Sequence, residues 1–104
     1  MPDITDRKFI NTPKGQAETE SIAYQCDTAT WGCVAPTNPL CFIFVDDIDK
    51  STIHLSGSAS VNGNVITTKK VTGLKRNKRY RLVVEWDYNG NHLSAYGEII
   101  GEKP

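Results

Sequence analysis

The chain has 104 residues, which is enough for one domain of ordinary size but not for separate cofactor and substrate domains. Hydrophobic residues make up 38% of the chain, charged residues 23%, and the 12 basic side chains equal the 12 acidic ones, which excludes collagen-like, coiled-coil and disordered proteins. Since no apolar run reaches the roughly 18 residues of a membrane span and no signal-peptide pattern opens the chain, we expect a protein that is cytoplasmic at synthesis.

The N-terminal residues 1–17 are predicted to form a polar arm with one short edge strand. Few apolar residues occur there, and Pro13-Lys14-Gly15 supplies a turn. We expect this arm to act as a docking segment that becomes ordered on a neighbouring protein. Residues 18–104 are predicted to form the folded domain.

The domain is predicted to begin with a half-buried strand, because Ile22, Tyr24 and Cys26 fall on alternate positions. A short helix over Gln16–Tyr24 is the alternative. Asp27–Pro39 is typical of a loop, since its two closing prolines are incompatible with a helix.

Two further strands are predicted in the middle of the chain. The continuous apolar run Leu40–Val45 predicts a central strand that is covered on both faces and forms the most buried segment. A shorter strand is predicted over Thr52–Leu55, with His54 facing solvent.

Two hairpins have the clearest local signals. Asn62-Gly63-Asn64 and Asn89-Gly90-Asn91 tolerate the positive φ angles of tight turns. Before the second turn, apolar and charged residues alternate. One face of that strand holds Tyr80, Leu82, Val84, Trp86 and Tyr88, and the other holds Arg79, Arg81, Val83, Glu85 and Asp87. After the turn, Leu93, Ala95, Gly97 and Ile99 alternate with His92, Ser94, Tyr96 and Glu98.

The predicted fold class is all-β, an immunoglobulin-like antiparallel β-sandwich of seven to eight strands, with a small barrel as the second choice. Leu74 ends one strand and Tyr80 opens the next after a five-residue turn, as in the corner where a tyrosine hydroxyl bonds back to the chain. Tyr80 is therefore the candidate corner tyrosine, and a plain core aromatic is the alternative.

The sequence offers little that indicates catalysis or metal binding. Asp46, Asp47 and Asp49 do not match the register of a calcium loop, so we interpret them as turn residues. The spacing of Cys26, Cys33 and Cys41 favours ordinary buried or half-buried thiols over a zinc site, and a small disulfide loop between the last two is left open. We expect His92, like His54, to face solvent rather than act as a base, and we expect no enzyme and no cofactor.

Two groups of residues are candidates for binding. Seven of the 12 basic residues lie within thirteen positions that contain no acid. This predicted basic patch consists of Lys69, Lys70, Lys75, Arg76, Lys78, Arg79 and Arg81. It could meet nucleic-acid phosphates or an acidic protein surface, or it could be a solvated edge whose charges deter aggregation. Trp31 and Tyr96 are candidate aromatic stacking residues, although a Trp in such a loop is more often a plug over the end of a sandwich.

From about Ser21 to Ile100 the chain resembles the small immunoglobulin-like proteins encoded among the structural genes of tailed bacteriophages and prophages. The residues that support this resemblance are Thr30-Trp31-Gly32, Val45-Asp46, Leu55-Ser56-Gly57-Ser58, Val61-Asn62-Gly63-Asn64-Val65-Ile66-Thr67, Gly73-Leu74 leading to Tyr80-Arg81-Leu82, and Gly90-Asn91. Asn77 stands where such turns usually have Gly, which Asn can replace because it tolerates left-handed geometry. Cys33 and Cys41 are less usual in the family.

The resemblance implies a non-enzymatic virion structural or assembly protein that presents docking surfaces to phage head or tail components or to further copies of itself. We therefore expect protein partners and association with the virion. We expect no membrane partner, and nucleic acid is not a favoured partner. The alternative is a carbohydrate-binding or adhesion module of a surface protein, with Trp31 and Tyr96 as stacking platforms.

Overall fold

Eleven strands in two facing layers account for most of the part of the chain that the computed structural model describes, namely residues 7–102 except for the side chains of residues 11 and 12. The strands are β1 Lys8–Ala17, β2 Ser21–Ile22, β3 Gln25–Asp27, β4 Thr37–Val45, β5 Ile48–Asp49, β6 Leu55–Ser56, β7 Ser60–Asn62, β8 Val65–Thr67, β9 Lys70–Thr72, β10 Arg79–Tyr88 and β11 Asn91–Glu102. A 3-10 turn spans Thr28–Trp31, and the one-turn helix α1 spans Ser51–His54. No helix in residues 7–102 is long and apolar enough to cross a membrane.

The first layer is a five-stranded sheet with the order β1-β11-β10-β4-β5. The strands β10 and β11 form its centre and are joined by a two-residue turn, in which Asn89 and Gly90 have φ angles of 54° and 78°. Positive φ at both positions is typical of the tight hairpin turn that matches strand twist, so the predicted hairpin is confirmed. At one edge, β1 pairs with β11 in the parallel direction.

The second layer consists of two three-stranded sheets, β2-β9-β6 and β3-β8-β7. Three times the chain crosses this layer in one pass that is divided into two short strands, namely β2 and β3, β6 and β7, and β8 and β9. The eleven strands therefore make eight passes across the two layers. The break between the halves is bridged because the Tyr24 amide donates to the Thr68 hydroxyl at 2.9 Å and the Thr68 amide donates to the Tyr24 carbonyl at 2.8 Å. The all-β sandwich predicted from the sequence is confirmed.

The core lies between the layers and is centred on β10. The inward side chains Tyr80, Leu82, Val84 and Trp86 are all at most 2% exposed. Burying apolar side chains of this size stabilises the fold by about 1.5–3 kcal/mol each, so the alternation along β10 fixes which face of the sheet points inward.

The predicted corner tyrosine is confirmed. The Lys75 amide donates a 2.8 Å hydrogen bond to the Tyr80 hydroxyl, which closes the turn between β9 and β10. Asn77 in this turn has a φ of 65°, the left-handed geometry expected of it. Gly101 of β11 lies against the turn, where its amide donates to the Lys78 carbonyl and its carbonyl accepts from the Asn77 amide.

Two predictions about the middle of the chain are wrong. Leu40–Val45 is not covered on both faces: Cys41 and Ile43 are buried, but Leu40 is 46% exposed and Phe42 and Phe44 are half-buried. Residues 52–54 form α1 instead of a strand, because the hydroxyl of Ser51 accepts from the Ile43 amide and anchors a helical turn to β4.

The loop predicted over Asp27–Pro39 also differs, since it contains the 3-10 turn and since β4 begins at Thr37. No helix forms over Gln16–Tyr24; the alternation there is correct, but the strand is divided into β2 and β3.

The predicted N-terminal arm is a full edge strand of the domain. β1 extends over ten residues, and its Ile10, Gln16 and Ala17 are buried. The fully buried Gln16 donates to the Val71 carbonyl at 2.6 Å and accepts from the Tyr24 hydroxyl at 2.7 Å, which ties β1 to the second layer. This segment is therefore ordered on its own chain rather than on a neighbouring protein, and the first six residues of the predicted arm lie outside the described residues.

Candidate protein-binding surface

The outward face of the five-stranded sheet combines apolar and charged side chains. Because side chains alternate along a strand, β10 directs Arg79, Arg81, Val83, Glu85 and Asp87 away from the core. We call this surface, together with the outward side chains of β4 and β11, the outer face. It is defined by Leu40, Phe42, Phe44, Arg79, Arg81, Val83, Glu85, Asp87, His92, Ser94, Tyr96, Glu98 and Ile100.

An apolar row crosses the middle of the outer face at right angles to the strands. Val83 of β10 pairs with Phe42 of β4 on one side and with Tyr96 of β11 on the other. All three side chains are half-buried, and Lys8 of β1 lies over the Tyr96 ring, with its Nζ 5.7 Å from the ring centroid. Cross-strand neighbours of this kind contact one another and form a continuous apolar strip.

Basic side chains lie on the outer face toward the Tyr80 end of β10. The Arg79 Nη1 is 2.6 Å from Glu98 Oε2, and the Arg81 guanidinium lies over the Phe44 ring at 5.5 Å from its centroid. Arg81 also faces the exposed Asp47 at a longer distance of 3.8 Å. Shallow depressions separate these side chains, one bordered by Phe44, Arg81 and Glu98.

Acidic side chains lie on the outer face toward the hairpin end of β10. His92 bridges them, since its Nδ1 is 2.6 Å from Asp87 Oδ1 and its Nε2 is 2.8 Å from Glu85 Oε1. The pKa of His92 is raised, mostly by its hydrogen bond to Asp87 and less by its hydrogen bond to Glu85. Hydrogen bonds from Asn38 and His92 lower the pKa of Asp87. His92 is solvent-exposed, as predicted, but the two carboxylates hold its ring in place.

The predicted basic patch is divided by the fold. Arg79 and Arg81 are on the outer face, Lys75, Arg76 and Lys78 lie in the turn before β10, and Lys69 and Lys70 lie at β9 in the second layer. Three of the seven also contact acidic side chains: Lys75 pairs with Glu18 at 2.7 Å, Arg79 with Glu98, and Arg81 with Asp47. The seven residues are therefore distributed over both layers and the turn between them.

The two candidate stacking residues are on opposite sides of the five-stranded sheet. The Trp31 ring stacks on the buried Trp86 at a centroid distance of 5.9 Å and an interplanar angle of 22°, which places it over the inward face. Tyr96 is on the outer face. Trp31 thus acts as a plug over the core, and the two rings do not form one platform.

The cysteines are all buried and free. They lie near Trp86 in one half of the core, together with Ile66, Val84 and Ala95. Burial raises the pKa of the Cys26 thiol to about 12 and also raises the pKa of Cys41. Thiols with a raised pKa are weak nucleophiles and weak metal ligands, because the thiolate is the reactive form.

The prediction that His54 faces solvent is wrong. Its side chain is 6% exposed, its Nδ1 is 3.0 Å from the Thr72 carbonyl, and its ring packs edge-on against Tyr80. The helical turn of α1 directs this side chain into the core, where the imidazole helps to position the corner tyrosine.

The acidic residues after β4 form a turn, as the sequence predicts. Asp46 and Asp47 have positive φ angles, and the Asp49 carboxylate accepts from the Ser51 amide at 2.8 Å. Across residues 7–102, no group of three or more His, Cys, Asp or Glu side chains is arranged to hold a metal ion. The carboxylates of Asp87 and Glu85 contact different nitrogens of the His92 ring, so the three groups do not converge on one point.

The outer face as a combined surface was missed by the sequence analysis, although its signal was present. Alternation along β10 predicts that its five outward residues share one side of the strand, but their neighbours on β4 depend on the pairing of two distant segments. No family model matches this sequence, and a comparison with curated proteins gives no significant match.

Proposed function

We propose that this chain is a non-enzymatic structural or assembly protein of a phage-derived particle, and that it acts by docking to other proteins. The observation that carries this proposal is the outer face, where the row of Phe42, Val83 and Tyr96 remains partly exposed although the core is filled from the opposite side of the sheet. Contiguous apolar strips with charged borders are typical of protein interaction sites.

The residue types that most often perform chemistry have structural roles here, which supports a non-enzymatic protein. The imidazole of His54 is used in the core against Thr72 and Tyr80. His92 has both ring nitrogens engaged by carboxylates. A general base needs a ring nitrogen that a substrate can reach and that is free to take its proton. The burial of His54 and the two carboxylate contacts of His92 both oppose that role.

The association with a phage particle is supported by the resemblance of the sequence to phage immunoglobulin-like proteins. One quoted element of that resemblance, the Gly73-Leu74 connection to Tyr80, forms the hydrogen-bonded corner. A rigid corner of this kind suits a scaffold that presents a surface without changing shape.

The proposal is tested by particle association. Cells that contain the gene are treated with a DNA-damaging agent to induce the prophage, and particles are purified on a density gradient. We expect mass spectrometry to find this chain at a constant ratio to the major capsid protein across the particle fractions. A cytosolic enzyme of the host measures carry-over, and a chain that is no more abundant than this enzyme would make the proposal wrong.

Two variants locate the contact. Val83→Arg places a charge in the middle of the apolar row, so we expect it to deplete the chain from particles. Lys70→Glu changes an exposed residue of the second layer and is expected to leave particle association unchanged.

A further inference from the structure

The charges along the outward side of β10 follow a symmetric order. Arg79 and Arg81 precede Val83, and Glu85 and Asp87 follow it. With a rise of about 3.3 Å per residue, one pair of opposite charges lies ~7 Å on either side of Val83 and the other pair ~13 Å on either side. The strand therefore has a basic half and an acidic half with an apolar residue at the midpoint.

We infer that the partner of the outer face is a second copy of this chain, bound face to face around a two-fold axis that runs along the apolar row. This inference rests on the proposed function, because it identifies which protein the docking surface takes. The axis lies in the plane of the interface, is perpendicular to the strands and passes over Phe42, Val83 and Tyr96. Each side chain of the row then meets its own counterpart in the partner.

The charge order favours this axis over a two-fold axis that runs parallel to the strands. A two-fold axis parallel to the strands would place Arg81 opposite the partner's Arg81, and like charges across an interface are repulsive. An axis perpendicular to the strands reverses the strand direction of the second copy. Arg81 then faces the partner's Glu85, and Arg79 faces the partner's Asp87.

The neighbouring strands agree with the same axis. Phe44 is in the cross-strand row of Arg81, and Leu40 is in the row of Glu85. The rotation therefore places Phe44 against the partner's Leu40, which is an apolar contact.

On the other side of β10 the rotation places Glu98 opposite the partner's Ser94, whose hydroxyl can donate to a carboxylate. Complementarity with its own copy is the requirement for an isologous interface, and each of the three adjacent strands has at least one such contact.

The contacts within one chain leave Arg81 and Glu85 able to bind a partner. Arg81 is 3.8 Å from Asp47, whose side chain is 93% exposed, and exposed pairs of this type contribute only about 0–1 kcal/mol. His92 uses Oε1 of Glu85. An arginine has several N–H donors and a carboxylate has two oxygens, so a second contact can be added to each.

The size of the outer face fits a stable dimer. The four long strands β1, β11, β10 and β4 have nine to twelve residues each. With a spacing of about 4.8 Å between strands and a rise of about 3.3 Å per residue, they form a sheet of roughly 20 by 30 Å. A standard interface buries about 800 Å² on each partner, which is of the same order. Leu40, Arg81 and Ser94 are exposed, so the outer face is open to solvent on β4, β10 and β11.

The test is sedimentation velocity of the purified chain over a concentration series up to about 100 μM. We expect the wild type to be a dimer whose mass is twice that of the chain. Arg81→Glu and Glu85→Arg should each weaken the dimer at least about 10-fold, because the two-fold axis repeats each new like-charge contact.

The decisive samples combine the two changes. The double variant Arg81→Glu, Glu85→Arg reverses both members of the pair, so it should regain dimerisation. An equimolar mixture of the two single variants should also form a heterodimer, because one copy then presents two acids to two bases of the other. Lys70→Glu is the matched control in the second layer, and circular dichroism melts check that every variant is folded.

A wild-type chain that stays monomeric at 100 μM would overturn the inference, as would a dimer that neither single variant weakens. Failure of the double variant and of the mixture to dimerise would overturn the perpendicular axis. These measurements use the purified chain alone. Monomeric behaviour together with particle association would therefore reject self-pairing and retain the proposed function, whereas a dimer that is absent from particles would reject only the proposed function.

Discussion

The two ends of the core are built from different side chains. The corner end, where the turn before β10 closes, is packed with large aliphatic residues around one tyrosine. It consists of Ile10, Ile43, Val71, Leu74, Tyr80, Leu82 and Ile99. The tryptophan end, toward the β10–β11 hairpin, is packed with small residues and thiols around an indole. It consists of Cys26, Cys33, Cys41, Ile66, Val84, Trp86 and Ala95.

The ends also differ in how polar atoms are used. At the corner end the Tyr80 hydroxyl accepts from the Lys75 amide and His54 contacts the Thr72 carbonyl. At the tryptophan end the buried Trp86 Nε1 has no hydrogen-bond partner among the described residues. A hydrogen bond therefore helps to hold the central ring of the corner end, whereas the central ring of the tryptophan end is held by packing.

Removal of the central ring should have the largest effect. We expect Trp86→Ala to lower the free energy of unfolding by about 3–5 kcal/mol, because it deletes the largest buried side chain and leaves a cavity among residues too small to fill it. Trp86→Phe should cost less than half as much, since it keeps most of the ring and removes an N–H that lacks a partner. Urea unfolding followed by far-UV circular dichroism measures both, and equal losses would contradict a packing role for the indole.

The corner end should be most sensitive to backbone spacing. A Cβ at Gly101 would overlap the Lys75 carbonyl oxygen, so we expect Gly101→Ala to cost about 1–3 kcal/mol of unfolding free energy or more. Gly15→Ala on the adjacent strand is the matched control. Its Cβ would meet only the carboxylate of Glu102, a flexible side chain that can move away, so its urea midpoint should stay close to that of the wild type.

Loss of the corner hydrogen bond should have a smaller effect. Tyr80→Phe keeps the ring and leaves the Lys75 amide without its acceptor, so we expect a loss of about 1–2 kcal/mol in the free energy of unfolding. Urea unfolding measures this loss, and an unchanged free energy of unfolding would contradict a stabilising role for the hydrogen bond at the corner end.

The smallest effect should come from His92, which is exposed near the tryptophan end. Hydrogen bonds to Asp87 and Glu85 raise its pKa above 6.5 in the folded chain. Protonated His92 therefore stabilises the fold fully below pH 6.5, and this contribution is lost as the pH rises through the higher pKa of the folded state. The difference in melting temperature between the wild type and His92→Gln should accordingly shrink as the pH rises above 6.5.

Asp87 gives the opposite dependence of stability on pH. The pKa of Asp87 is lowered from 3.8, first by Asn38 and then by His92. Its contribution is present above pH 3.8 and is lost as the pH falls through the lower pKa of the folded state. A difference between wild type and His92→Gln that stays constant from pH 5 to 9 would contradict the bridge seen at the hairpin end.

Short-range sequence patterns predicted the features that depend on them. The alternation over β10, the Asn89-Gly90 turn and the corner Tyr80 are correct because each is specified within a few residues. The helical turn α1 was missed because its residues favour a strand locally, and the contact of Ser51 with the Ile43 amide decides its conformation. The sequence likewise predicts Gln16 in a polar arm, because its hydrogen-bond partners Tyr24 and Val71 are brought to it only by the fold.

The outer face could be predicted only in part. The five residues along β10 were visible as one side of a strand, and their charges could be read from the sequence. The position of Tyr96 beside Val83 follows from the predicted hairpin at Asn89-Gly90. The position of Phe42 does not, because a change of one residue in the register of β4 would turn its ring toward the core. Strand pairing across distant parts of the chain thus determines the apolar row.

The parallel pairing of β1 with β11 has a consequence for biosynthesis. Lys8 pairs with Tyr96 and Ala17 pairs with Glu102, so the first of the eleven strands in chain order is completed by the eleventh. While the ribosome is still adding β11, β1 has no partner in the sheet and Ile10 has no Gly97 to pack on. Folding of this domain is therefore expected to finish only after its last strand leaves the exit tunnel, and a nascent chain stalled before that point should be readily cleaved by protease within β1.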